Sequence, residues 1–251
     1  MIGIVGGVGP LAGIDLCKKI IEETTAKKDQ EHLPVILSSQ PHLIADRIAF
    51  LLGKKNENPG LALLKLILEL ESLGVQLAAI PCNTAHASAI YNSITNGLKE
   101  NGSKIKLLHL IEETAQFIQS NYPNKKVAVL STTVTRDIAL YKNTLMRYKI
   151  DNIAPDDFLQ SKIEQSIFSE EYGIKAFSSP VNNKVKEDLI QVISDLKNQG
   201  AELIILACTE LPLALTETSY FGLPIIDTNR VLARALIQQV APEKLKPLLI
   251  Q

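Results

Sequence analysis

Short apolar runs alternate along the chain with longer segments in which apolar residues return every three or four positions. Residues 2–5 run through Gly6-Gly7-Val8-Gly9-Pro10 into a stretch where Leu11, Ile14, Leu16, Ile20 and Ile21 recur. That pattern predicts a strand, a glycine turn and a helix, with Pro10 suited to the first helical position. Residues 35–39 read as a second strand, and residues 61–73 as a helix closed by Gly74. A strand ending at Cys82, a helix from about residue 84 to 98 and a strand over 105–110 complete the first half.

The second half repeats the programme. Residues 127–131 precede the hydroxyl-rich turn Thr132-Thr133-Val134-Thr135, where the first half has glycines. A weak strand at 149–153, an amphipathic helix over 185–196 ending near Gly200 and a strand ending at Cys208 follow, and residues 223–227 answer 107–110. Similar helices, 112–118 and 229–235, leave the last strand of each half. Strands alternating with helices require crossovers and parallel sheets. The expected fold is therefore α/β, with two pseudo-symmetric domains, each a parallel sheet flanked by helices. The halves are 1–109 and 110–227, with Asn121-Tyr122-Pro123-Asn124 supplying turn chemistry near the boundary and the C-terminal helix 228–251 packing on the first half. Ligands of open parallel sheets sit beyond the carboxyl ends of the strands, which places the expected site at the domain interface.

With 251 residues, 46% of them apolar, the chain can bury a core large enough for two such domains. Its 26 basic and 27 acidic residues nearly cancel and form no long run, so no nucleic-acid or anionic-membrane surface is expected and a small molecule is the default partner. The first residues lack the pattern of a secretory signal, and Lys65, Glu69 and Glu71 interrupt the most apolar stretch, so a cytoplasmic protein without a membrane span is expected. Three cysteines, an odd number, point to thiols rather than a disulfide framework.

Two of those thiols have the same address. Leu77-Ala78-Ala79-Ile80-Pro81-Cys82-Asn83-Thr84-Ala85-His86 and Leu203-Ile204-Ile205-Leu206-Ala207-Cys208-Thr209-Glu210-Leu211-Pro212 each carry a buried strand to a cysteine and a polar group, about half a chain apart. A helix N-terminus following each would lower the thiol pKa, and two sulfurs in one pocket would settle as one thiolate and one thiol. Such a pair can take a proton from one face of a carbon and return one to the other. Cys17, beside Leu16 and Ile20, reads as core.

Asn83, Thr84, Thr209 and the hydroxyls of 131–135 could hold a carboxylate or simply cap helices. Arg47 is a candidate second carboxylate anchor or a surface arginine, and Glu210 could bind an ammonium group, orient a neighbour or stay solvated. His86 lies four residues after Cys82, so a zinc site of Cys82, His86 and Cys208 is one alternative, but no close Cys or His pair has structural-zinc spacing, which favours a pocket-lining or helix-capping role. His32, His42 and His109 read as surface or loop residues. Gly7-Val8-Gly9-Pro10-Leu11-Ala12 loosely fits a dinucleotide fingerprint, yet the second strand ends in Ser38-Ser39-Gln40 where that motif wants an acidic residue, so no nicotinamide or flavin is expected.

Gly6-Gly7-Val8-Gly9-Pro10, Pro81-Cys82-Asn83-Thr84-Ala85-His86 and Cys208-Thr209-Glu210-Leu211-Pro212 together resemble three signatures of the cofactor-independent aspartate/glutamate racemase superfamily, most closely its aspartate racemase branch. The resemblance runs from Met1 to about Ala241. It implies two pseudo-symmetric α/β domains, a homodimer, no cofactor, and inversion of an acidic amino acid with Cys82 and Cys208 as paired acid and base; the spacing above already gives no metal. It implies further that Arg47, in the Asp46-Arg47 loop, and Lys175 hold the distal carboxylate, and that Asn83, Thr84, Thr133 and Thr209 grip the α-carboxylate and amino group. Glu210 stands where the glutamate racemase branch carries histidine, and Val5-Gly6-Gly7 replaces that branch's Asp-Ser pair, so aspartate is the first expected substrate. Gly13, Ala45, Ala207 and the loop 168–180 depart from the usual pattern. The alternatives are a broad aspartate/glutamate racemase, a related carbanion isomerase or hydantoin-type racemase, and a non-catalytic amino-acid sensor.

Overall fold

A computed structural model describes residues 1–248, which form two compact units, one of residues 1–113 with the C-terminal segment from Asn229, the other of residues 114–228. The first unit is built on β1 (Ile2–Gly6), α1 (Pro10–Glu23), β2 (Val35–Ser39), α2 (Arg47–Leu51), α3 (Pro59–Ser72), β3 (Leu77–Ala79), α4 (Ser88–Glu100), β4 (Lys106–Leu108) and the start of α5 (Leu110–Asn121). Its four strands lie in the order β2-β1-β3-β4, all parallel, with Ile4 opposite Leu37 on one side and Ala79 on the other. Leu63, Leu66, Ile67 and Leu70 of α3 and Ile90 and Ile94 of α4 are buried in one cluster with Val5, Ala78 and Ile80. This all-apolar character of the central strands is what a sheet covered on both faces demands.

The second unit contains β5 (Val127–Leu130), α6 (Thr133–Asp137), α7 (Leu140–Arg147), β6 (Asn152–Ile153), α8 (Asp157–Phe168), α9 (Asn183–Asn198), β7 (Leu203–Leu206), β8 (Ser219–Tyr220) and β9 (Leu223–Asp227). Its order is β6-β5-β7-β9-β8. The first four strands are parallel and repeat the order of the other sheet; β8 is an added antiparallel edge. Leu159, Ile163 and Ile167 of α8 and Leu189, Val192, Ile193 and Leu196 of α9 pack with Ala128, Leu130, Ile204 and Leu206.

Helix α10 (Thr228–Val240) is tied to α1. Asn229 Nδ2 donates to Ala12 O at 3.2 Å and Asp15 Oδ2 at 2.9 Å, Arg230 reaches Glu22 and Glu23, and Arg234 also pairs with Glu23. Lys19, buried, closes the group on Asp15 at 2.5 Å.

Several expectations change. The predicted C-terminal helix 228–251 ends at Val240, before Pro242 and a 3-10 turn, and its residues 249–251 lie outside the described residues. Ile14 and Ile21 lie on the solvent face of α1 and Cys17 is only half-buried, because that helix turns Ala12, Leu16, Lys19 and Ile20 inward instead. Burial still pushes the Cys17 thiol pKa up. Helices α2, α7 and α8 and strand β8 were not anticipated. Among the described residues no helix is long and apolar enough to cross a membrane.

Candidate active site

In the first unit the chain leaves β3 through Ile80 and Pro81, and Cys82 N–H turns back to Ile80 O at 2.8 Å. The thiol is buried, as are Asn83, Thr84 and His86. No α-helix starts here: Thr84–His86 is a single 3-10 turn, Ala87 is extended, and α4 begins at Ser88. His86 holds the segment in place. Its ring lies 2.8 Å from Cys82 O through Nδ1 and accepts the Leu110 N–H through Nε2 at 3.2 Å. A backbone carbonyl only accepts and a backbone N–H only donates, so the imidazole is neutral with its hydrogen on Nδ1. Burial, with His109 packed 4.6 Å away, holds the His86 pKa down at about 3. With both nitrogens engaged, His86 offers no lone pair to a metal. His109, expected as a loop residue, also caps α5, accepting Glu112 N–H at 3.3 Å.

Arg47 opens α2, which Asp46 caps through Ala49 N–H at 2.7 Å. The arginine is half-buried. Its Nη2 donates to Val8 O at 3.0 Å, and its Nε is buried without a hydrogen-bond partner among the described residues. The carbonyl it meets belongs to the glycine turn, where Gly7 has φ +82 and an added Cβ would sit 2.9 Å from Gln40 N and Pro41 N. Only glycine fits that turn.

In the second unit Ala207 N–H bonds to Leu130 O at 2.8 Å, and Cys208 follows, buried, with Leu211 N–H on its carbonyl at 3.0 Å. The next element is again one 3-10 turn, Leu211–Leu213. Glu210 lies against the sulfur: Cys208 Sγ–H donates to Oε2 at 3.0 Å, and Lys175 Nζ meets Oε1 at 2.6 Å. Burial pushes the Cys208 thiol well above its ordinary pKa, the Glu210 carboxylate adds to the rise, and Lys175 opposes it. The expectation that a helix N-terminus would lower this pKa is therefore corrected: no α-helix begins there, and the nearest charge is an anion.

Lys175 is delivered by the main chain after α8. Ile174 N–H bonds to Ser166 O at 2.9 Å, Lys175 N–H to Ile167 O at 3.1 Å, and Gly173 N–H to Ser169 O at 2.8 Å. A Cβ on Gly173 would meet Ser169 N at 2.5 Å and Ser169 O at 2.6 Å. Gly173→Ala is therefore expected to open the turn and detach Lys175 from Glu210, lowering the thermal midpoint by several degrees. An unchanged midpoint by differential scanning calorimetry would show that the turn yields freely.

A model of the Asp/Glu/hydantoin racemase family matches residues 5–236, a span that includes both buried cysteines. The chain belongs to this family. Across 244 residues it is 30% identical to the broad specificity amino-acid racemase RacX of Bacillus subtilis (strain 168), covering 94% of this chain and 96% of that one. A solved structure of Picrophilus torridus aspartate racemase superposes with a TM-score of 0.79 at 30% identity, covering 95% of this chain and 93% of that chain. Glutamate racemase from Francisella tularensis subsp. tularensis SCHU S4 shares the fold, with a TM-score of 0.60 at 16% identity over 99% of this chain and 84% of that one. The protein is thus a pyridoxal-phosphate-independent racemase or isomerase of the Asp/Glu racemase superfamily, with two buried cysteines.

Within this racemase Cys208, Glu210 and Lys175 form one contact group, and Cys82 adjoins Asn83, Thr84 and His86. Thr209 is buried beside Cys208. Thr133 starts α6, but its N–H is committed to Glu164 Oε2 at 2.7 Å, so the donor expected there for an α-carboxylate is already occupied by a protein acceptor. Glu164, on the unanticipated helix α8, carried no sequence signal. Tyr141, also missed, is fully enclosed near Cys208, and burial raises its pKa above the ordinary tyrosine range.

Proposed function

We propose that this racemase inverts acidic amino acids without restriction to aspartate, with Cys82 and Cys208 as the acid and base at Cα. The observation that carries the reading is the matched placement of two buried thiols: each follows the third strand of a 2-1-3-4 parallel order, and each leads into one 3-10 turn. One sulfur removes the Cα proton, charge spreads into the substrate α-carboxylate, and the other sulfur returns a proton to the opposite face. Donors aimed at that carboxylate stabilise the charge as it develops. Asn83, Thr84 and Thr209 adjoin the thiols and serve this role in the reading. Arg47, whose buried Nε has no partner among the described residues, anchors a distal carboxylate.

The aspartate-first expectation is narrower than its support. The 30% identity to a racemase named for broad specificity runs over nearly the whole chain, and it equals the identity to the aspartate racemase. Lys175, expected to share the distal carboxylate with Arg47, is already paired with Glu210. Solvent deuterium incorporation at Cα of both enantiomers of aspartate and glutamate tests the reading. Exchange in both amino acids supports it, exchange in aspartate alone restores the narrower substrate, and tight binding with no exchange favours a sensor.

A further inference from the structure

The carboxylate of Glu210 meets a charged or reactive neighbour on each oxygen: Lys175 Nζ at 2.6 Å from Oε1 and Cys208 Sγ at 3.0 Å from Oε2. The ammonium keeps this carboxylate ionised, and an ionised carboxylate only accepts hydrogen bonds, so the sulfur carries the hydrogen. The same contact compensates the charge of a lysine whose side chain is one-third exposed (33%) on a turn fixed by three main-chain bonds.

We propose that Glu210 is a positioning and specificity-setting residue: it holds Cys208 as the thiol in the resting enzyme and masks Lys175, so that substrates with and without a distal carboxylate are weakly distinguished. This rests on the racemase reading above and extends it to a resting protonation state and a substrate range. With Cys208 poised as the acid, Cys82 takes the first proton. One proton leaves Cα for Cys82, one leaves Cys208 for the opposite face, and Cys208 is left as a thiolate beside a carboxylate. That repulsion favours its reprotonation, and the enzyme returns to its starting form once Cys208 regains a proton from solvent and Cys82 gives its own up to solvent. Among the described residues, the charged or titratable groups that act on Cys208 within its unit include Glu210, Lys175 and the phenol of Tyr141, which stays neutral.

Two readouts test it. In a Cys17→Ser/Cys82→Ser background only Cys208 can give a thiolate absorbance on titration, because the chain has three cysteines. Glu210→Gln, which keeps the size and an acceptor oxygen, is expected to move that midpoint to lower pH, and Lys175→Gln to move it higher. In the enzyme with all its cysteines, Glu210→Gln is expected to raise kcat/KM for aspartate relative to its neutral isostere asparagine by about tenfold, the worth of one unmasked charged contact, chiefly through KM. Lys175→Gln lowers that ratio or leaves it flat. A midpoint unmoved or raised in Glu210→Gln, or an aspartate-to-asparagine ratio unmoved, overturns the proposal, since a purely structural glutamate would slow both substrates alike. Should Glu210→Gln not fold, the Lys175→Gln titration decides, and a midpoint that fails to rise refutes it. The titration needs no turnover, so a wild-type chain that exchanges no Cα proton defeats the racemase reading while the thiol midpoints still judge Glu210.

Discussion

Serine at either Cys82 or Cys208 is expected to lower racemisation by about 10²–10⁴-fold, the span that a positioned acid or base contributes. A serine hydroxyl is nearly the size of the thiol but titrates far outside the working range, so the loss falls on chemistry. Both thiols are buried at 7% exposure and belong to the apolar clusters of their units, but serine nearly keeps their size, so the thermal midpoint is expected to shift by only a few degrees. The two variants should differ in kind. Each keeps one sulfur, which can still exchange the Cα proton facing it, so Cys82→Ser and Cys208→Ser should retain slow deuterium exchange in opposite enantiomers while neither interconverts them. Polarimetry measures the interconversion and proton NMR the exchange. Either variant racemising at the wild-type rate would remove the two-thiol mechanism, and loss of exchange in both enantiomers for both variants would show that the sulfurs do not act separately.

Where the sequence pattern was local, it was legible. Residues 35–39 and 223–227 are strands within the predicted limits, and Gly74 and Gly200 end helices with positive φ, because a run of apolar residues or a glycine acts on its own neighbourhood. The matched cysteine addresses were visible for the same reason. The 3-10 turn beyond each cysteine was not. A polar tetrad after a strand suits an α-helix start as well as a 3-10 turn, and the side chains there find partners far along the chain: His86 reaches Leu110, Glu210 pairs with Lys175 from 35 residues away, and Arg47 meets Val8 across 39 residues. Periodicity likewise marks an apolar stripe on α1 without saying which neighbour covers it. Asn229, Arg230 and Arg234 of α10 meet α1 through an amide and charges, contacts that an apolar stripe does not announce, and Ile14 and Ile21 lie outside.

His86 should make the first unit sensitive to acid. Its folded pKa, about 3, lies below the ordinary value of 6.5, so above pH 6.5 the ring is neutral in folded and unfolded chains and its contribution to stability is complete. Between pH 6.5 and about 3 the unfolded chain binds a proton that the folded ring refuses, and stability falls as the pH falls. At roughly 1.4 kcal/mol per pH unit the full loss approaches ~5 kcal/mol, and ~2 kcal/mol of it is gone by pH 5. The ring cannot escape this by turning, because Nδ1 faces the Cys82 carbonyl and Nε2 the Leu110 N–H. His86→Ala removes both bonds and leaves a void, for an expected loss of about 3–5 kcal/mol at pH 7. His86→Gln can offer an N–H and a carbonyl in their place without titrating. It should therefore be less stable than wild type at pH 7 by only about 1–2 kcal/mol and lose ~2 kcal/mol less on going to pH 5, as read from urea midpoints at the two pH values. Equal acid losses in wild type and His86→Gln would mean that this ring is not what acid attacks. Because the same ring fixes the carbonyl of Cys82, His86→Ala should also slow Cα exchange through Cys82 more than through Cys208, a difference between enantiomers that a general loss of folded protein would not produce.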